Sequence, residues 1–228
     1  MRTKSLYYSI NTAFWASGDI GKARNLPYLP YLPYLPYFLM ISPMPSRHSS
    51  LLFILALLTA CGSTSDTCTE KVWTGEFGLC IGEGWEQLPD GALKEEGIPM
   101  ETIAAFHRTD AAGGQRDNIV VSMETLPGNV PALAYAEANI KVIEAVPDYA
   151  LLEKREVKID GEVTILHMFT ARPVADLPVR RFYQLSVVKG AKGFTFTGTL
   201  PFSTDDAAEK TITDMLLSVT MEKGEESE

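Results

Sequence analysis

Histidine and cysteine are the side chains with which this protein could do chemistry near neutral pH, and its 228 residues hold three of each. A general base or a metal ligand needs partners at set spacings. The chain has no H-E-x-x-H, G-x-S-x-G, P-loop or dinucleotide-binding glycine pattern. His167 falls between Ile165 and Phe169 on one face of an alternating strand, which predicts a partly buried, hydrogen-bonded core histidine. His107, beside Arg108, reads as a surface residue at a strand end. The acidic pairs Glu95-Glu96 and Asp205-Asp206 lack calcium-loop spacing and read as solvated faces. The second also sits where carboxylates favour a helix start. Arg172, Arg180 and Arg181 cluster around Pro173 and Pro178. They read either as a loop balancing an acidic body or as a docking rim for an acidic partner. No catalytic set, metal site or cofactor is expected. A hydrolase with dispersed residues would need polar groups converging on His107 or His167.

What the cysteines do depends on their compartment. Arg47 and His48 precede an unbroken apolar run, Leu51–Leu58, which ends in Thr59-Ala60-Cys61-Gly62. A basic start, a short apolar core and a small-residue exit make a secretory signal peptide. The run is half of the roughly 20 residues that a membrane-spanning helix needs. Leu58-Thr59-Ala60-Cys61 resembles the lipobox of bacterial lipoproteins. That resemblance implies cleavage after Ala60 and a thioether-linked diacylglycerol on Cys61, the acylated N-terminus of a membrane-attached protein. More than one acyl chain is what stable anchoring requires. The polar stretch from Gly62 to Asp66 reads as a flexible tether, part of a lipidated segment over residues 61–69. In enterobacterial lipoproteins an aspartate after the cysteine retains the protein in the inner membrane. Gly62 stands there, so the outer membrane is expected in a host with two membranes. The signal peptide starts well at Met44, or at Met40. Residues 1–43, with four copies of Leu-Pro-Tyr in Leu26–Tyr37, therefore read as an upstream extension outside the working protein.

Export leaves Cys68 and Cys80 in an oxidising compartment, where such a pair is expected to form a disulfide. They flank Thr74-Gly75, the turn expected between Glu70–Trp73 and Phe77–Ile81, so a cross-hairpin bridge fits. A zinc site or a reactive thiol would lack nearby ligands.

Of the 20 basic and 29 acidic residues, five basic and one acidic precede Cys61, which leaves the mature part at a net charge of −13. That balance argues against a nucleic-acid partner, which needs a basic patch to neutralise phosphates. It also makes the lipid, and not a charged face, the membrane anchor. Residues 222–228 read as a solvated acidic tail.

The elements that must position these residues are one domain's worth, over residues 70–221. After the first hairpin, Gly82–Trp85 and Leu88–Gly91 read as loops. Thr102–Arg108 and Asn118–Leu126 read as strands joined across Asp110–Gly114. Leu133, Ala136, Ile140 and Ile143 recur at helical spacing opposite Glu137, Lys141 and Glu144, and Pro147 ends that helix. Leu151–Ile159 and Glu162–Ala171 form a hairpin around Asp160-Gly161. Arg180–Val188 and Phe194–Leu200 follow, joined through Gly190–Gly193; in the second, Phe194 and Phe196 alternate with Thr195, Thr197 and Thr199. A last helix, capped by Ser203, buries Ala208, Ile212, Met215, Leu216 and Val219. Tight turns between strands argue for an antiparallel sheet with helices packed on it, an α+β class.

This order, with several local stretches, resembles the PsbP/Mog-type α-β-α sandwich and its DcrB-like and LpqN-like bacterial members. The matching stretches are Phe77–Ile81 with Gly84-Trp85, Asn118–Ser122, Val157–Gly161, Phe182–Gln184, Gly193–Thr197 and Leu216–Val219. Gly82 stands where such proteins often have proline. The resemblance implies a binding or accessory module with no shared catalytic set. The functional expectation is a lipid-anchored, non-catalytic envelope protein that binds another envelope protein or assembly. The alternative is a periplasmic small-molecule carrier or sensor using a cleft between sheet and helix.

Overall fold

A computed structural model describes residues 68–89, 101–109, 117–172 and 177–223. The signal peptide, Cys61, the Leu-Pro-Tyr repeat, Glu95-Glu96, the Asp110–Gly114 turn and the last residues of the tail lie outside them.

A short hairpin comes first, β1 (Glu70–Trp73) against β2 (Gly78–Ile81), with Lys71 opposite Cys80. A seven-stranded antiparallel sheet follows. Its strands are β3 (Trp85–Gln87), β4 (Thr102–Arg108), β5 (Asn118–Thr125), β6 (Ala150–Ile159), β7 (Glu162–Ala171), β8 (Arg180–Lys189) and β9 (Lys192–Pro201), in the order β3-β4-β5-β9-β8-β7-β6. Among the described residues two helices accompany the sheet, α1 (Ala132–Ile143) and α2 (Asp206–Leu217). The expected α+β class, its antiparallel sheet and both helices are present.

The β6–β7 turn has a local cause. Asp160 and Gly161 both take positive φ, 48° and 83°, the backbone of a two-residue hairpin matched to strand twist. The Asp160 carboxylate then accepts from the Met221 amide at 2.5 Å and from the Thr220 hydroxyl at 2.8 Å, pinning the chain after α2 to this hairpin tip.

Two expectations need correction. Trp85, read as loop, opens β3, a three-residue edge strand that pairs Trp85 with Arg108 and Glu86 with His107. A strand that short carries too little alternation to stand out from its glycines. Asp205, not Ser203, caps α2: its backbone is extended and its side chain accepts from the Ala208 amide at 2.8 Å. An aspartate at this position satisfies an orphan amide and also places negative charge at the helix's positive end.

The two sheet faces are covered differently. One face carries Phe106, Ile119, Val121, Leu166, Leu185, Phe194, Phe196 and Leu200, packed with Ile212, Met215 and Leu216 of α2, with Leu79 and Ile81 of β2 and with Phe77 just before it. Phe77 meets Phe196 edge-on at 4.9 Å. The other face takes α1 over β7 and β8, with Ala136 and Ile140 on Ile165 and with Ile143 and Val146 on Phe169 and Phe182.

Candidate functional site

Residues opposite each other on paired strands share a face, so the register lists what each row of the sheet presents. One row on the α1 side of the sheet reads Glu86, His107, Asn118, Thr199. The next reads Ala105, Val120, Thr197, Gln184, His167. The threonines of β9 mark a polar face, as their alternation predicted, but that face is buried: Asn118, Thr197 and Thr199 are fully enclosed and Gln184 and Arg180 nearly so. Burying such groups is costly unless they are hydrogen-bonded. Gln184 reaches the Thr197 hydroxyl at 3.5 Å, whereas the Thr199 hydroxyl has no hydrogen-bond partner among the described residues.

His107 is a third correction. It is 5% exposed, and its Nε2 lies 2.8 Å from Oε1 of Glu86, whose side chain reaches solvent. Its neighbour Arg108 projects to the opposite face, so only one of the two residues is at the surface.

His167 is 1% exposed, as a core histidine should be. Its Nε2 meets the Tyr149 hydroxyl at 3.0 Å, and its ring stacks on Phe169 at 4.7 Å, which in turn stacks on Phe182. Burial, helped by the Lys154 ammonium, pushes its pKa down to about 4. It is therefore neutral at pH 7.

Cys68 and Cys80 are joined in a disulfide, which ties the residue just before the hairpin to a core strand. The three arginines do not come together as one rim. Arg180 is buried on the polar face, Arg181 points to the other face and pairs with Glu209, and Arg172 pairs with Asp148 at 2.7 Å.

A cleft of about 350 Å³ lies on the α2 side of the sheet, between the β3–β4 end and the first turns of α2. Thr69, Glu83, Trp85, Arg108, Asp117 and Asp205 line it, with the helix residues Ala207, Ala208 and Thr211. Its walls are built locally. Trp85 sits opposite Arg108 in the β3–β4 pairing, and the Arg108 amide donates to the Asp117 carbonyl at 3.0 Å. The Arg108 guanidinium lies 3.5 Å from the Asp117 carboxylate. No spacing rule links Glu83, Trp85 and Asp117 in the sequence, because separate segments supply them. Among the described residues no three His, Cys, Asp or Glu side chains are grouped to hold a metal.

The described residues form an antiparallel sheet with a helix on each face, an α+β fold. No family model and no curated protein matches the chain. Among solved structures, LpqN of Mycobacterium tuberculosis, described as involved in cell envelope biogenesis, superposes with a TM-score of 0.51 at 10% identity, covering 66% of this chain and 88% of its own. The cyanobacterial PsbP of Synechocystis gives 0.47 at 13% identity, over 72% of this chain and 99% of its own. The Ran-binding protein Mog1p of Saccharomyces cerevisiae gives 0.43 at 10%, over 67% and 94%. At these identities the likeness is one of fold.

Proposed function

We propose that the protein is a lipid-anchored, non-catalytic binding module of the cell envelope, held to the membrane through acylated Cys61 and docking on an envelope protein or assembly. The observation that carries this reading is the Cys68–Cys80 disulfide. Such bridges persist in oxidising, exported compartments. This one stands seven residues past Cys61, so a polar tether would end in a covalent fastening to the folded domain. The involvement of LpqN, of like fold, in envelope biogenesis supports the same placement. With no aspartate after Cys61, the outer membrane is the proposed destination where the host has two membranes.

The test is fractionation together with labelling. The protein should incorporate labelled palmitate and sediment with membranes, and Cys61→Ser should abolish the label and move the protein to the soluble fraction. A variant that stays membrane-bound and labelled would refute the anchor. Crosslinking in intact envelopes should then recover a specific protein partner.

The cleft beside α2 favours a second reading, a periplasmic carrier or sensor of a small molecule. Its volume falls in the range of ligand sites, about 300–1,000 Å³. Native mass spectrometry of the purified protein would then show a bound ligand, and a bare mass would count against it.

A further inference from the structure

Among the described residues four large apolar side chains stand exposed, Leu151, Leu152, Phe202 and Leu217, and the first three sit at one end of the sheet. The strand pairing fixes which end. Leu151 and Leu152 lie at the start of β6, where Ala150 faces Thr170. Ala171, the last residue of β7, faces Arg180, which starts β8 and faces Pro201, the last residue of β9. Phe202 follows Pro201 directly. Leu217 closes α2 at the opposite end, three residues before Thr220, whose hydroxyl donates to Asp160 in the β6–β7 turn.

The chain enters the domain at the end that carries Phe202. Thr69 shares a cleft wall with Trp85, which starts β3, with Arg108, which ends β4, and with Asp205, three residues past Phe202. Cys68 is fixed there by its bridge to Cys80. Seven residue steps separate Cys61 from Cys68, a reach of about 25 Å at full extension. The ten-residue strands β8 and β9 place the opposite end of the sheet about 33 Å away. A lipid on Cys61 can therefore bring the Phe202 end to a bilayer, but the tether is too short to stand the domain on its opposite end.

The arginines flanking these apolar side chains already stand beside carboxylates. The Arg181 guanidinium lies 5.9 Å from the Phe202 ring and pairs with Glu209, and Arg172 pairs with Asp148. Three half-exposed side chains are too few to hold a protein to a membrane unaided, since even one whole acyl chain does so only marginally. Beside an anchor they need only orient the domain, because the tether keeps the bilayer at a high effective concentration.

We propose that this end of the sheet rests on the lipid surface, with Leu151, Leu152 and Phe202 seated at the boundary between headgroups and acyl chains. The inference rests on the lipid-anchor reading and adds to it the orientation of the domain. A protein docked on the same side chains is the competing occupant, and the length and entry point of the tether favour the bilayer.

The test uses the acylated protein, purified from membranes and reconstituted in phosphatidylcholine vesicles with or without acyl-chain bromine, which quenches indole emission on contact. Leu152→Trp, Phe202→Trp and Leu217→Trp each add one indole at an exposed position, and the emission of the parent protein is subtracted. Circular dichroism should be the same in all four proteins. The added emission should fall at least twofold in brominated vesicles for Leu152→Trp and Phe202→Trp, and stay unchanged for Leu217→Trp. No quenching at either of the first two, or equal quenching at Leu217→Trp, would overturn the proposal. So would Phe202→benzoylphenylalanine crosslinking to a protein and not to lipid in intact envelopes, which would give these side chains to a protein partner. Absence of acylation would sink the anchor and the orientation together. An acylated, vesicle-bound chain whose added indoles stay unquenched would sink the orientation alone.

Discussion

His167 shows how far a single residue can be read from its neighbours. Apolar residues two positions away on either side placed it in the core, and it lies there against Tyr149 and Phe169. His107 departs from its surface expectation because the charged Arg108 beside it reports on the opposite face, and because Glu86, which it meets at 2.8 Å, belongs to a strand too short to show in the sequence. Burial of neutral His167 has a consequence for pH. Its folded pKa of about 4 lies below the ordinary value of 6.5. Between these values the unfolded chain binds a proton that the folded protein refuses. Its contribution to stability is therefore complete above about pH 6.5 and falls as the pH drops toward 4, below which no further loss comes from this group. Urea unfolding across that window should show the decline, and His167→Phe should flatten it. Imidazole resonances of His167 titrating near 6.5 in the folded protein would contradict this account.

At the scale of elements, the long alternating strands and α1 were legible, since their periods differ and their hairpin turns carry Asp-Gly and glycine signals. The seam between α1 and the sheet was not. Apolar spacing named Leu133, Ala136, Ile140 and Ile143 as the buried stripe, yet Tyr135 and Asn139 are buried beside them. Asn139 donates to the Ser186 hydroxyl at 2.9 Å and the Thr195 hydroxyl at 3.1 Å, and the Tyr135 hydroxyl donates to Glu124 at 2.9 Å. A polar residue on a helix reads as outward-facing until its partners on another strand are known. Gly193 is the small residue that lets this seam close: a Cβ there would meet Tyr135 Cζ at 2.6 Å. Gly193→Ala should therefore lower unfolding stability by about 1–3 kcal/mol through overpacking, measured by chemical denaturation. Gly193→Ala in a Tyr135→Leu background should cost less, because the clashing ring is gone. Equal costs in both backgrounds would show that the close approach is not what matters at this position.

For the molecule as a whole, the order of elements along the chain and the class follow from turn chemistry and periodicity, whereas the pairing of β5 with β9 spans too much sequence for any turn to announce it, and the cleft had no signature because Thr69, two strand ends and a helix start assemble it. Charge is a property of this scale too. Acidic residues outnumber basic ones along the chain, and several described surface cations stand beside carboxylates: Arg172 with Asp148, Arg181 with Glu209, Lys192 with Glu76, Lys210 with Asp214. Exposed pairs of this kind add little stability, about 0–1 kcal/mol each, but they cancel the positive potential that would draw a protein to anionic lipid. Under the proposed anchor, membrane attachment should then rest on acylation of Cys61 alone. The Cys61→Ser protein should remain in the supernatant with phosphatidylglycerol-rich vesicles at low and high salt alike. Sedimentation at low salt that high salt reverses would reveal a basic face and overturn the argument, because screening weakens charge-driven binding while leaving acyl insertion in place.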